Sequence, residues 1–274
     1  MSCLFCYPNR VDDSLSYSTT LSGGAWSATL PLTNLKSPLL SKKARSTNAL
    51  AASTQFNTDM GTPRAIRALA LLRHNLSSAA TVRFRGYSDS GYTSLVWDST
   101  ALSVWPEGYP AVENKKRYQE DFYLILTAAV TARYWKTEIV DTTNSAGYIE
   151  IGRPFYAPAF EPVINMSYGA SISLETDTTS ERSKGGVDYY DRSEPRRVIQ
   201  FTLSDNTQDQ AFGDIFDMQW DRGIDQPLLF VFAPTDTGGM LKKRSWLATM
   251  RRLSPIEFPY FDNHSIAFEL LEVL

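Results

Sequence analysis

Histidine and cysteine, the side chains that most often serve proton transfer, nucleophilic attack and metal binding near neutral pH, are nearly missing here: two of each in 274 residues. Two imidazoles leave little room for acid–base work. His264 lies among Asp262, Asn263 and Ser265, the letters of a hydrolase triad, but a relay needs Ser, His and Asp brought in from separate segments. Neighbours in sequence read instead as a turn, and His74 sits in a similar one. Cys3 and Cys6 form a C-x-x-C with no nearby His and no second thiol pair, so a zinc or iron–sulfur site lacks ligands. They read as ordinary thiols of an N-terminal strand, the alternative being a site that other copies of the chain complete. The glycine pairs at 23–24, 185–186 and 238–239 lack the spacing and the Lys-Ser/Thr of a phosphate loop and fit hairpins.

Other absences narrow the field further. No apolar run approaches the length of a membrane span, and the longest, Phe122–Val130, fits a buried strand. The first residues, MSCLFCYPNRVDD, have no basic region followed by a continuous apolar segment, so no secretory signal is read and synthesis in the cytosol is expected. Basic residues occur only in short runs such as Lys42–Lys43, Lys115–Arg117 and Lys242–Arg244, which argues against a phosphate-binding face and so against nucleic acid as partner. The acidic sets Asp188/Asp191 and Asp214/Asp217/Asp221 lack EF-hand spacing, and the second falls on a helix as its solvent face. No catalytic residue and no cofactor is therefore expected.

What is present is aromatic and β-prone. Phe, Trp and Tyr make up 12% of the chain and charged residues 21%, the balance of a globular protein rich in strands. The net charge of −3 divides unevenly: residues 1–157 carry 16 basic and 12 acidic groups, residues 158–274 carry 11 and 18. Opposed halves can attract one another or neighbouring copies.

The first half reads as short strands separated by turn residues. Trp26–Leu30 follows a glycine pair; Ile66, Ala68, Ala70 and Leu72 share one face of the next run; Thr81–Arg85 alternates again. Pro/Gly-marked breaks at Trp105–Pro110 and Asn144–Gly147 enclose two strands, Phe122–Leu126 and Arg133–Val140. In the second of these, Trp135, Thr137 and Ile139 share one side. Pro154, Pro158 and Pro162 cannot lie in central strands, which places a boundary there and divides the chain into 1–153, a β-sandwich or jelly roll, and 154–274.

The second part holds a polar stretch, 177–197, centred on Gly185–Gly186. It reads either as a long hairpin reaching away from the core or as a loose surface loop. A helix is predicted over 208–220: Thr207 and Gln210 form a capping box, Phe212, Ile215, Phe216 and Trp220 form an apolar stripe, and Gly223 stops it. Laid on a sheet by that stripe, it joins the strands Arg197–Leu203, Pro227–Ala233, Ser245–Leu253 and Ile266–Leu274 in a β-rich unit.

Two groups of residues are candidates for binding. Tyr87, Tyr92, Trp97, Trp105 and Tyr109 fall in loop-rich sequence, where planar rings either stack on a sugar or pack into the core. Lys184, Gly185, Gly186, Tyr189, Tyr190 and Arg192 belong to the polar hairpin and are candidates for contact with a neighbouring subunit.

Two stretches resemble known proteins. Trp26–Leu35, Ala44–Ser46, Ala65–Leu76 and Thr81–Ser88 resemble the discoidin-like, or galactose-binding-like, jelly roll of siphophage tail proteins. Arg197–Leu203, the helix, Pro227–Thr235 and Trp246–Leu274 are similar to the β-sandwich-plus-helix unit of phage tail-tube and distal tail proteins, although here the jelly roll comes first. The resemblance implies a non-enzymatic virion component of the tail tip or baseplate, made in the bacterial cytoplasm. It further implies a ring, sixfold in the family, that joins the tail tube to hub or receptor-binding proteins. A carbohydrate-binding adhesin that attaches to a host-surface glycan is the second reading, and the two are compatible.

Overall fold

The computed structural model describes residues 3–13, 18–105 and 121–274. Tyr109, the Lys115–Arg117 run and part of the Trp105–Pro110 break lie outside them. The fold is mainly β, with antiparallel sheets and few helices. The first strands are β1 (Leu4–Cys6), β2 (Thr20–Ser22), β3 (Ala44–Arg45), β4 (Phe56–Leu72), β5 (Thr81–Tyr87), β6 (Leu95–Asp98) and β7 (Leu102–Ser103). Then come β8 (Asp121–Val140), β9 (Glu150–Ile151), β10 (Arg153–Ala157), β11 (Ala159–Phe160), β12 (Ser171–Glu175), β13 (Thr179–Arg182) and β14 (Asp188–Asp191). The last are β15 (Arg196–Asn206), β16 (Leu228–Val231), β17 (Ser245–Met250), β18 (Glu257–Tyr260) and β19 (Asn263–Glu272). Helices are short: α1 (Ala51–Thr54), a π-helical segment Asp209–Phe216 running into α2 (Asp217–Arg222), and α3 (Gly238–Arg244).

The chain forms two compact units. Unit 1 comprises Met1–Phe5, Phe160–Phe230 and Trp246–Leu274; unit 2 comprises Cys6–Ala159 and Val231–Ser245. The chain thus passes between them within β1, β11, β16 and β17. The division expected at 153/154 lies close to one of these passages, Ala159/Phe160, and the other three have no counterpart in the sequence reading. Unit 2 holds 19 basic and 13 acidic residues, a net +6; unit 1 holds 8 and 17, a net −9.

Unit 2 is built on a sheet of order β10-β4-β8-β5-β6, with β2 also on β4 and β7 also on β5. Alternation places Phe56, Met60, Val82, Phe84, Trp135 and Ile139 on the buried side. A 3₁₀ turn, Leu32–Lys36, and the β3–β9 pair contribute Leu32, Leu35, Ala44 and Ile151 to the same core. Four expectations are corrected here. Trp26–Leu30 is not a strand: Trp26 makes one isolated bridge to Ser46, and past Pro31 the chain turns back, with Asn34 Nδ2 donating to the Lys43 carbonyl at 2.8 Å. The strands expected at Phe122–Leu126 and Arg133–Val140 are one strand, β8, whose pairing with β4 shifts register between Ile66 and Ala68. At that bulge Thr127, Ala128 and Ala129 are exposed, so the apolar run around them is not buried throughout. The same shift turns β4 over: Leu69 and Leu71 join Ile66 in the core cluster, in place of the expected Ala68, Ala70 and Leu72. These three remain buried on the opposite face, where Phe155 pairs with Ala70.

The segment before β2 is tied to β10 by polar contacts. Asn9 donates to Asp12 at 2.7 Å and to the Pro154 carbonyl at 3.0 Å, and Tyr156 N–H donates to Asn9 Oδ1 at 2.9 Å. Arg153 forms a bidentate pair with Asp12, both almost fully buried. Asp12 thus compensates a cation that water cannot reach.

Unit 1 is built on the sheet β11-β1-β16-β17-β19-β15-β12, with β18 on β19. Phe5 packs against Phe268 at 5.2 Å and Phe230 at 5.7 Å, Phe201 against both Phe230 and Phe268 at 5.5 Å, and Phe230 against Trp246 at 5.9 Å. The helix is corrected as well. Its inward residues are Ala211, Ile215, Met218, Gln219 and Arg222, whereas Phe212, Phe216 and Trp220, expected to pack on a sheet, face outward. Part of the helix is π, and its wider turn changes which residues share a face relative to the 3.6-residue pattern.

Replacing Asp12 by Ala leaves the Arg153 guanidinium buried and uncompensated. The expected loss is about 3–5 kcal/mol, read from urea unfolding, with part recovered in Asp12→Ala/Arg153→Met.

Candidate interaction surfaces

The outer face of the unit 2 sheet is a lattice of charges laid over tyrosines. Cross-strand pairing sets Arg83 opposite Glu138, Arg85 opposite Lys136 and Tyr87 opposite Tyr134, while Asp59 on β4 faces Tyr134 from the other side. Arg83 is bidentate to Asp98; Arg85 donates to Glu138 at 2.5 Å, which Lys136 also approaches at 3.2 Å. Arg133 donates to Asp59 through Nε at 2.8 Å and Nη2 at 3.0 Å, and its guanidinium lies 4.7 Å from the Tyr134 ring centre. Hydrogen bonds from these arginines hold the Asp59 and Asp98 carboxyls below the ordinary carboxylate range.

The five rings singled out from sequence are not one platform. Tyr87 is buried under Tyr92, ring centres 5.4 Å apart and edge to face, and Tyr92 meets Tyr134 at 6.2 Å. Trp97 packs on the core against Trp135 at 6.1 Å, Trp105 is half-buried, and Tyr109 lies outside the described residues. Tyr134, Arg85, Arg133 and Asp59 were not singled out, although Tyr134 alternates with Lys136 and Glu138 on the side of the strand opposite Trp135. Tyr92 is held in the left-handed region, φ 57°, by the loop from β5 to β6. Asp89 organises that loop, accepting from Gly91 N–H at 3.1 Å, Thr93 N–H at 3.1 Å, Thr93 Oγ1 at 2.9 Å and Ser94 N–H at 2.6 Å.

In unit 1 the stretch 177–197 is a hairpin. β13 and β14 pair only with each other, in register Thr179↔Asp191 to Arg182↔Asp188, and all eight of their residues are exposed. The turn closes with Ser183 N–H donating to the Val187 carbonyl at 2.8 Å; Gly186, φ 83°, takes the left-handed position. Lys184, Gly185, Gly186, Tyr189, Tyr190 and Arg192 are all exposed on it. The hairpin prolongs β12 and β15: Thr178 Oγ1 donates to the Ser193 carbonyl and accepts from Ser193 N–H at the joint. Beside the joint a crevice of about 390 Å³ is lined by Asp177, Glu194, Arg196 and Glu272, among others.

Cys3 and Cys6 are both buried, and burial pushes the Cys3 thiol up to about 12 and the Cys6 thiol higher still. Such thiols are poor nucleophiles and ligands. Among the described residues no cluster of three His, Cys, Asp or Glu is arranged to hold a metal, and no helix is long and apolar enough to cross a membrane.

No family model matches the chain, and no curated protein matches it by sequence. Among solved structures it is similar to CBM32-1 from a family 31 glycoside hydrolase of Clostridium perfringens, at 18% identity over 52% of this chain and 94% of that one, TM-score 0.36. It is also similar to the family 32 CBM of C. perfringens NanJ in complex with galactose, at 10% identity over 57% and 99%, TM-score 0.39. A third is the lectin domain of lectinolysin complexed with Lewis B antigen, at 12% identity over 54% and 95%, TM-score 0.38.

The Asp89 loop carries a pH dependence. Hydrogen bonds led by Ser94 N–H hold the Asp89 carboxyl below its ordinary value. A depressed folded value means the ordering is complete above the unfolded value, about 3.9, and is lost as pH falls through the folded one. Amide signals of Gly91, Thr93 and Ser94 are expected to stay fixed from pH 7 to pH 5 and to move together below about pH 4. Asp89→Ala is expected to abolish that transition and to release Tyr92 from Tyr87.

Proposed function

We propose that the chain is a non-enzymatic structural protein that assembles with copies of itself through the arm of unit 1. The bare β13–β14 hairpin carries this reading. A two-stranded ribbon is marginal in water by itself, and this one exposes Val187, Tyr189 and Tyr190 and pairs with no third strand among the described residues. Contact with a neighbouring subunit supplies what it lacks. The edge from which it springs supports the same reading. β12 ends its sheet, and Ile172 and Leu174 share the face of the core residue Ile199 through the Ile172↔Ile199 pairing, yet both are exposed. Protected edges carry charge, proline or a bulge at such positions. In line with the resemblance, the assembly is a ring of a phage tail tip that joins the tail tube to hub or receptor-binding proteins. A head-to-tail contact of this kind closes into a ring when its rotation closes.

A second reading concerns unit 2. Tyr92 and Tyr134, framed by Arg85, Arg133, Asp59 and Glu138, combine ring faces with fixed donors and acceptors, the chemistry that recognises a sugar. A host-surface glycan bound there is compatible with assembly through unit 1.

Replacing 179–191 by a two-residue turn is expected to convert an assembled chain into a monomer in sedimentation velocity without loss of far-ultraviolet dichroism; unchanged mass would contradict the reading. For unit 2, glycan-array binding by the parent is expected to fall in Tyr92→Ala and Tyr134→Ala. Equal binding by all three would remove this face as the sugar site.

A further inference from the structure

The outward side of the unit 1 helix is an exposed aromatic strip. Phe212, Phe216 and Trp220 are 39%, 45% and 80% exposed. Trp220 stacks on Phe216 at 6.3 Å, Phe216 meets Phe212 at 6.2 Å, and Phe212 meets Phe258 of β18 at 6.2 Å. Phe258, itself 66% exposed, lies over the buried His264 at 4.8 Å. The row is therefore continuous across the helix and the β18–β19 hairpin. At 150–250 Å² for a whole aromatic side chain, these four expose on the order of 500 Å². That is more than half of the roughly 800 Å² each partner contributes to a stable interface.

The strip has an acidic border. Asp209, Asp214, Asp217 and Asp221 are exposed on the same helix, and among the described residues Asp209, Asp217 and Asp221 form no ion pair. Burial and the neighbouring Asp217 charge raise the Asp214 carboxyl. An anionic lipid or a nucleic acid would be repelled, whereas a surface that sets a cation beside an aliphatic side chain would be attracted, its cation able to stack on Trp220.

Unit 2, at +6, presents such a surface in its Ser37–Lys43 loop. Leu39 is 63% exposed there, and Lys42 is exposed and forms no ion pair among the described residues. We infer that the Phe212/Phe216/Trp220/Phe258 strip is the seat for the Ser37–Lys43 loop of a second copy of this chain, with Leu39 on the rings and Lys42 against Asp217 and Asp221. The inference rests on the self-assembly reading and names a second contact, apart from the arm.

The test is sedimentation velocity over a range of concentrations at low and high salt, on the full chain and on Trp220→Ser, Asp217→Lys/Asp221→Lys and Lys42→Glu. All the substituted side chains are exposed, so folding is not at stake. The expected result is self-association that salt weakens and that each variant weakens about tenfold or more. Mixing Lys42→Glu with Asp217→Lys/Asp221→Lys is expected to restore association between the two variants. If the parent associates and Trp220→Ser associates equally well, the strip is not the seat, while assembly through the arm still stands. If the acidic and aromatic variants lose association but Lys42→Glu does not, another element occupies the strip and the inference fails. A parent that stays monomeric at every concentration overturns both this inference and the self-assembly reading.

Discussion

Unit 2 depends on the antiparallel ladder between β4 and β8. Strands of 17 and 20 residues are long for a sheet, and a one-residue slip would turn every side chain to the wrong face. Two irregularities prevent the ladder from running flat, one between Asp59 and Arg64 and one between Ile66 and Ala68. Between them the sheet changes which residues it buries. Beyond the second, both faces of β4 are covered and its residues from Ala68 to Leu72 are apolar throughout; near the first, among the described residues, only the Trp135 side is covered. The charged lattice of Arg85, Arg133, Asp59 and Glu138 stands on the other side.

Unit 1 poses the opposite problem, since it makes more apolar surface than it covers. Its phenylalanine core is closed, yet Ile172 and Leu174 continue the core face onto an exposed edge, the hairpin beyond them carries exposed tyrosines, and the helix turns three rings outward. Single exposed apolar residues are ordinary in folded proteins. Unit 1 carries three sets of them and a net charge of −9, against +6 for unit 2, and these support the proposed self-assembly.

Much of this was legible in the sequence. The β class followed from the aromatic content and the alternating runs; Trp135, Thr137 and Ile139 were read onto one side of their strand, and the hairpin was one of two readings of the stretch around Gly185–Gly186. The rest needed tertiary information. A bulge leaves no mark in alternation, so β8 read as two strands and Ile66 was grouped on one face with Ala68, Ala70 and Leu72. Phe212, Phe216 and Trp220 satisfy the helical period equally well whether they face a core or a partner, so the period alone chose the wrong side. The passage of 231–245 into unit 2 depends on long-range pairing that a local reading does not reach. Among the candidate rings, Tyr87 and Trp97 are spent on packing, while Tyr134, hidden in a strand pattern, stands on the open face.

The central claim is that the β13–β14 hairpin gains its partner in a neighbouring copy. Amide hydrogen exchange of Thr179–Arg182 and Asp188–Asp191, followed as protein concentration is raised, tests it most directly. The account predicts near-unprotected exchange when the chain is dilute and protection that rises with concentration in step with particle mass. Exchange that stays fast in an assembled particle, or protection already complete in a monomer, would contradict it.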